Sequence, residues 1–213
     1  LEDGISAQDQ AISNQAVAAS QRLNEILTPL VESRRSGEGT DFVSRLWAGG
    51  RNIFDDWNEV DTLDASRRLL FAGVDTTTHA VANAFHMLLT APDLMEKIRG
   101  GEPAVLERFA EEVLRMHGSV EFRPRRATAD TEIGGVPIKA GDMILVVLIA
   151  CNRDPEAFEC PGKVDLERRL PRSHIAFSYG PRTCPGSNLA RSELTAAIRR
   201  AIDRFPNMRL DQE

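Results

Sequence analysis

With 213 residues, 42% of them hydrophobic and 27% charged, and a formal net charge of -6, the chain has the composition of a globular protein of one or two domains. The acidic balance argues against a general binder of nucleic acid or anionic membranes. Cys151, Cys160 and Cys184 are odd in number and fit neither a disulfide framework nor zinc spacing, which points to a reducing, cytoplasmic compartment.

No apolar run approaches the roughly 20 residues that a membrane helix needs, and no signal peptide is recognisable. An opening at Leu1 within polar, helix-like sequence suggests the interior of a longer protein. Ser6 to Arg35 reads as a long helix, with Ile12, Ala16, Leu23, Ile26, Leu27, Leu30 and Val31 at helical spacing. Ser6 is its candidate cap, and Pro29 should kink it or start a fresh segment. A short helix from Asp41 to Trp47 should end at the Gly49-Gly50 pair.

Asp56 and Glu59 resemble a capping box that opens the longest helix, which runs to about Leu89. Its middle, Phe71-Ala72-Gly73-Val74-Asp75-Thr76-Thr77-Thr78, is poor helix sequence, because Gly73 costs about 1 kcal/mol against Ala and Thr is a weak helix former. Such a stretch is either held by packing or kept for function. Pro92 to Arg99 and Pro103 to His117 are two further helices, each opened by proline and closed by glycine. On the second, Glu112 and Arg115 lie three apart on one face and can pair.

Beyond it, Gly134-Gly135 should turn a hairpin, and the apolar run Met143 to Val147 reads as a buried strand. Asn152 to Pro155 is a turn, and loop rich in Arg and Pro continues to Ser173. The last helix, about Asn188 to Phe205, should bury Leu189, Leu194, Ala197, Ile198 and Ala201.

Ahead of that helix lies Phe177-Ser178-Tyr179-Gly180-Pro181-Arg182-Thr183-Cys184-Pro185-Gly186. A thiol at the mouth of a helix sits near partial positive charge and unpaired N–H groups, so Cys184 is a candidate thiolate, as nucleophile or as metal ligand. The alternative, a small buried hydrophobe on a turn, is the commoner fate of a lone cysteine.

Four elements stand in order: Ala72-Gly73-x-Asp75-Thr76-Thr77, Glu112-x-x-Arg115, an Arg/Pro-rich meander, and Phe177-x-x-Gly180-x-Arg182-x-Cys184-x-Gly186. Together they resemble the cytochrome P-450 superfamily of haem-thiolate monooxygenases, and the soluble bacterial members in particular. The resemblance covers the family's C-terminal half, and implies that residues 1–213 are the C-terminal portion of a single domain whose N-terminal half is absent. It implies a mainly α fold with small β-sheets.

For the site, the resemblance makes Cys184 the ligand of haem b iron. Phe177, Gly180 and Gly186 would shape the loop around the sulfur. Arg125, preferred to Arg126, would meet the haem propionates with His174 and Arg182. Ala72 and Gly73 would let O2 and substrate approach a locally bulged helix. Thr76 would hydrogen-bond the dioxygen being activated, and Asp75 would relay protons to it. Glu112 and Arg115 would form a buried network with Arg168, or with its neighbour Arg169. Val120, Glu121 and Phe122, with Ala72, would line the substrate pocket.

The implied activity is insertion of one oxygen atom of O2 into a small organic substrate. Electrons would come from a ferredoxin or flavodoxin and an NAD(P)H-dependent reductase, with Arg172, Arg182 and Arg191 as a basic docking patch. Two alternatives stand beside it. One is a non-catalytic fragment that needs the missing half to bind haem and substrate, and that self-associates through the face left bare. The other keeps haem but performs peroxide-driven oxidation or isomerisation.

Overall fold

The computed structural model describes residues 7–211, with side chains from residue 11 onward. The expected cap Ser6 lies outside the described residues. Helix α1 (Ala7–Ser33) runs through Pro29 without interruption. Proline removes one ladder bond near the end of the helix, and burial of Leu27 and Val31 holds the turns beside it. Ile12, Ile26 and Leu30, expected on the buried stripe, are exposed.

Helix α2 (Phe42–Ile53) also outruns its predicted end, passing through both glycines. Gly50 is needed for contact: a Cβ there would lie 2.2 Å from the Trp57 ring. Asp41 caps α2 by accepting the Ser44 N–H at 3.1 Å and the Ser44 hydroxyl at 2.8 Å. Those bonds, helped by Arg34, hold its carboxyl down at about 2. Val31, Val43 and Trp47 form the core of this first unit, Leu1–Ala72, with Trp57 and Leu63 packed against it. The Trp47 indole donates to the Val31 carbonyl at 2.9 Å.

Helix α3 (Glu59–Thr90) opens two residues later than expected. Its box is Asn58 with Asp61: the Val60 N–H donates to Asn58 at 2.8 Å, and the Asn58 N–H donates to Asp61 at 3.0 Å. The helix is continuous α through Gly73 and the threonines, so the expected local bulge is absent.

The second unit, Gly73–Glu213, is built on one core. Ala80, Ala84 and Leu88 of α3, Ile98 of α4 (Pro92–Gly100), Phe109 and Val113 of α5 (Pro103–Met116), and Leu194, Ile198 and Ile202 of α7 (Ser187–Arg204) belong to it. Leu189, expected in the α7 stripe, is exposed, and Ile202 takes the burial expected of Ala201 one residue earlier. Every residue of α5 from Phe109 to Met116 is buried, charged ones included.

Strand β1 (Phe122–Arg126) pairs antiparallel with β4 (Met143–Val147), Arg125 opposite Ile144. Between them, β2 (Thr131–Ile133) and β3 (Val136–Ile138) form the expected hairpin. Its Gly134 and Gly135 take φ of 58° and 81°, the left-handed pair that a tight hairpin turn requires. β4 is not the buried strand predicted. A two-stranded ladder has two faces; Ile144 and Val146 are half-covered, while Met143, Leu145 and Val147 stay exposed. A short helix α6 (Leu148–Cys151) follows, then loop to the last helix.

Candidate functional site

Cys184 lies three residues ahead of α7, half-buried in a loop closed by backbone bonds. Its N–H donates to the Phe177 carbonyl at 2.9 Å, and its carbonyl accepts the Ser187 N–H at 3.3 Å. A 3-10 turn, Gly180–Arg182, lies inside the loop, with the Thr183 hydroxyl on the Gly180 carbonyl at 2.8 Å. Gly180 has φ of 76° and Ser178 has φ of 65°, so the path uses two left-handed residues, one of which is not glycine. A Cβ on Gly186 would lie 3.9 Å from the Cys184 sulfur, so this glycine backs directly onto the thiol.

Two buried carboxylates of α5, which point in different directions as neighbours on a helix must, tie down the chain before and after this loop. Glu112 and Arg115 have side chains 0% exposed. Arg115 donates to Glu112 from Nε at 2.7 Å and from Nη2 at 2.8 Å, and Arg168 donates from Nε at 2.9 Å. The Asp165 N–H adds a bond at 2.9 Å. Arg115 further donates to the carbonyls of Asn152, Pro161 and Lys163, so one guanidinium gathers three points of the loop. Arg168 fills the third place, and Arg169 is exposed. Burial would raise the Glu112 pKa, but the hydrogen bonds from Arg115, Arg168 and Asp165, with the Arg115 charge, hold it below the ordinary value.

Glu111 serves the other side. It takes His174 Nε2 at 2.9 Å, Arg191 Nε at 2.6 Å and Arg172 Nε at 3.2 Å. Burial pushes its pKa up, and the bonds and charges of His174 and Arg191 outweigh that and lower it. Arg191 also lies with its guanidinium 4.6 Å from the Phe177 ring centroid. Helix α7, the Phe177 ring and α5 are thereby joined beside the Cys184 loop. A groove of about 190 Å³ lies over this cluster, lined by Arg172, Asn188 and Ser192 among others.

His174, expected at a propionate, is buried with Nε2 on Glu111, and its Nδ1 accepts the Ala176 N–H at 3.3 Å. Arg191, assigned to a docking patch, is turned inward with its side chain 17% exposed, while the Arg172 side chain remains 65% exposed. Arg182 is exposed and makes no ion pair among the described residues. Arg125 likewise has no carboxylate partner there and donates to the Pro124 carbonyl.

On α3, Ala72 and Gly73 are exposed, and a Cβ on Gly73 would meet nothing within 4 Å. The Asp75 carboxylate is exposed, 3.9 Å from His79 Nδ1. Thr76 is half-buried, and its carbonyl accepts the Ser119 hydroxyl at 2.6 Å. Phe122, expected in a pocket, stands exposed on β1, as does Glu121 before it; Val120 is half-buried.

Glu111, Asn152 and Ser119 are absent from the sequence-derived site. Asn152 reads as a turn residue, yet it is buried, with its side-chain oxygen on the Ile175 N–H at 2.8 Å and its carbonyl on Arg115. For Glu111 there was a signal: α5 carries Phe109-Ala110 before the acids and Val113-Leu114 after them, so acids on both flanks of that helix face protein.

The cytochrome P-450 family model matches residues 103–210. Cytochrome P-450 105C1 of Streptomyces sp is 38% identical over 185 residues, 86% of this chain and 47% of the relative. Cytochrome P-450 monooxygenase PikC of Streptomyces venezuelae is 34% identical over 92% of this chain and 47% of its own length. Among solved structures, the cytochrome P-450 enzyme CYP109B1 from Bacillus subtilis superposes with a TM-score of 0.86 at 30% identity. That superposition covers 100% of this chain and 57% of CYP109B1. The chain spans about half the length of the curated relatives that it matches.

Proposed function

The chain belongs to the cytochrome P-450 family, whose members use haem b, and from that premise we propose that it provides the thiolate and proton-delivery half of a monooxygenase site. Haem b bound there would supply dioxygen activation: with two electrons from a ferredoxin-type partner and two protons, one oxygen atom would pass to an organic substrate and the other would leave as water. The Cys184 loop is the observation that carries the reading: a half-buried thiol pinned by its own N–H to the Phe177 carbonyl, directly ahead of a helix N-terminus. The residues fit the group. A thiolate is a suitable iron donor, and Arg125 and Arg182, without carboxylates of their own among the described residues, are suited to propionates.

Each residue then has a task. Cys184 donates its sulfur; Arg125 and Arg182 orient the macrocycle; Gly73 leaves space beside α3. Asp75 takes protons from solvent, to which it is open, and Thr76 presents a hydroxyl one residue further into the structure. Glu112, Arg115 and Arg168 hold the loop and do no chemistry. With Arg191 and Arg172 drawn to Glu111, docking of an acidic redox protein rests on Arg182 and the outer face of Arg172.

A hemin titration followed by absorbance tests the assignment. Saturable binding by this chain that is lost in Cys184→Ala and weakened in Arg125→Ser and Arg182→Ser supports it. Equal binding by all four proteins contradicts it.

A second reading has its own observation. Along α3, Leu69, Leu70, Phe71 and Val74 are exposed, Phe71 at 77% and Val74 at 61%, an apolar surface at the point where substrate and dioxygen would lie. Together with the half-length match, this favours a chain that completes its pocket with a further polypeptide segment. Haem binding that appears only when the N-terminal half of a relative such as PikC is added in trans would decide for it.

A further inference from the structure

α3 passes through Gly73 and Thr76 to Thr78, residues of weak helical preference, without a break. Two carbonyls in that stretch accept an extra side-chain hydroxyl, and they flank Asp75. The Val74 carbonyl takes the Thr78 hydroxyl at 2.8 Å, and the Thr76 carbonyl takes the Ser119 hydroxyl at 2.6 Å. Back-bonding by Thr78 is local to the helix. Ser119 is 43 residues away and reaches the helix from outside.

About two turns further along α3, the Asn83 amide donates to the His117 carbonyl at 2.9 Å. Residues 117–119 thus grip α3 twice, once as acceptor and once as donor, which fixes both its rotation and its axial position. Gly118, between the two grips, has its back to the other half of the site. A Cβ there would lie 2.9 Å from the Leu114 carbonyl and 3.5 Å from the Ala176 Cβ. Ala176 precedes Phe177, whose carbonyl holds the Cys184 N–H. One short segment therefore holds the Asp75–Thr76 turn on one side and lies beside Ala176, which leads into the Cys184 loop, on the other.

We propose that Ser119 is a positioning residue, whose hydroxyl fixes the Asp75–Thr76 turn of α3 relative to the Cys184 loop and so aims proton delivery. The role of the Asp75–Thr76 pair stated above is its premise. Without the hydroxyl, the Thr76 carbonyl keeps its place in the helix ladder, so no buried group is orphaned. What is lost is the outside anchor on a stretch that holds its helix weakly.

The test compares Ser119→Ala, Ser119→Thr and Thr76→Ala in the full chain. In hydrogen exchange read by mass spectrometry, peptides covering residues 74–84 should exchange about fivefold faster in Ser119→Ala, the effect of one hydrogen bond of ordinary strength. Ser119→Thr, which keeps the hydroxyl, should match wild type, and peptides from α1 and α2 should not change. In the haem-loaded protein, Ser119→Ala and Thr76→Ala should both shift consumed dioxygen from oxygenated product towards released hydrogen peroxide, while Ser119→Thr should not. Unchanged exchange in Ser119→Ala overturns the anchor, whatever the activity. Faster exchange with an unchanged product-to-peroxide ratio overturns the positioning role. If Thr76→Ala also leaves the ratio unchanged, the premise about the pair is what fails, and the exchange result alone then reports on the anchor.

Discussion

Glu112→Ala removes a carboxylate that four close bonds converge on: two from Arg115 at 2.7 and 2.8 Å, one from Arg168 at 2.9 Å and one from the Asp165 N–H at 2.9 Å. Glu112 and Arg115 are fully shielded from water and Arg168 nearly so, so solvent does little to replace the lost partner. Arg115 still has the carbonyls of Asn152, Pro161 and Lys163, whereas Arg168 is left with the Glu159 carbonyl at 3.1 Å. The loss should therefore fall near the lower end of the ~3–5 kcal/mol that breaking a buried ion pair costs. Against a typical domain stability of about 5–15 kcal/mol, that is a large share. Arg115→Ala should cost a similar amount by a different route: Glu112 keeps Arg168, but three loop carbonyls lose their donor. Urea unfolding followed by far-UV circular dichroism measures both; both tryptophans, Trp47 and Trp57, lie in the unit Leu1–Ala72, and fluorescence would report there instead. A loss under ~1 kcal/mol for Glu112→Ala, the value of an exposed pair, would refute the reasoning.

Glu111 and Glu112 both have folded-state pKa values below the ordinary 4.5. Their contribution to stability is complete above the unfolded value and is lost as pH falls through the folded one, so stability should decline below about pH 4.5. The double variant Glu111→Gln/Glu112→Gln should flatten that decline, and an unaltered acid limb in urea midpoints would count against it. Ser178→Gly, which relieves a left-handed φ of 65°, should raise Tm by about 2–4 °C; a fall would mean that the Ser178 side chain supplies more than the strain costs. Arg191→Met should cost about 2–3 kcal/mol through loss of the charged bonds to Glu111, while Arg182→Ser should stay within about 0.5 kcal/mol yet slow reduction by a ferredoxin. The opposite ranking in urea unfolding and stopped-flow reduction would reverse their assignment to interior and surface.

What could be read from the sequence depended on how local the cause was. The end of α3 and both ends of α4 and α5 follow from prolines, glycines and apolar spacing, and the Gly134-Gly135 hairpin follows from turn chemistry. The predicted end of α2 failed because Gly50 answers to the Trp57 ring seven residues on and not to helix termination. The buried strand Met143–Val147 failed for a similar reason: an apolar run states a capacity for burial, and only its surroundings realise it.

At the site, spacing alone made Glu112 and Arg115 a pair, and family order was needed to draw in Arg168. Glu111, beside Glu112 in sequence, points about 100° away around the helix and meets His174, Arg172 and Arg191. No pattern in one chain links position 111 to positions 174 and 191. The same holds for Ser119 and Thr76, which meet only because α5 ends against the middle of α3.

Every role proposed for the site depends on Cys184, held at the mouth of α7, being the thiolate donor to haem iron. The reduced, carbon monoxide-bound absorption spectrum of the hemin-reconstituted chain tests it most directly. The expected result is the strongly red-shifted Soret band of thiolate ligation, absent from Cys184→Ala and retained in Cys151→Ala and Cys160→Ala. A Soret band at the position of histidine-ligated haem, or one that survives in Cys184→Ala, would contradict it.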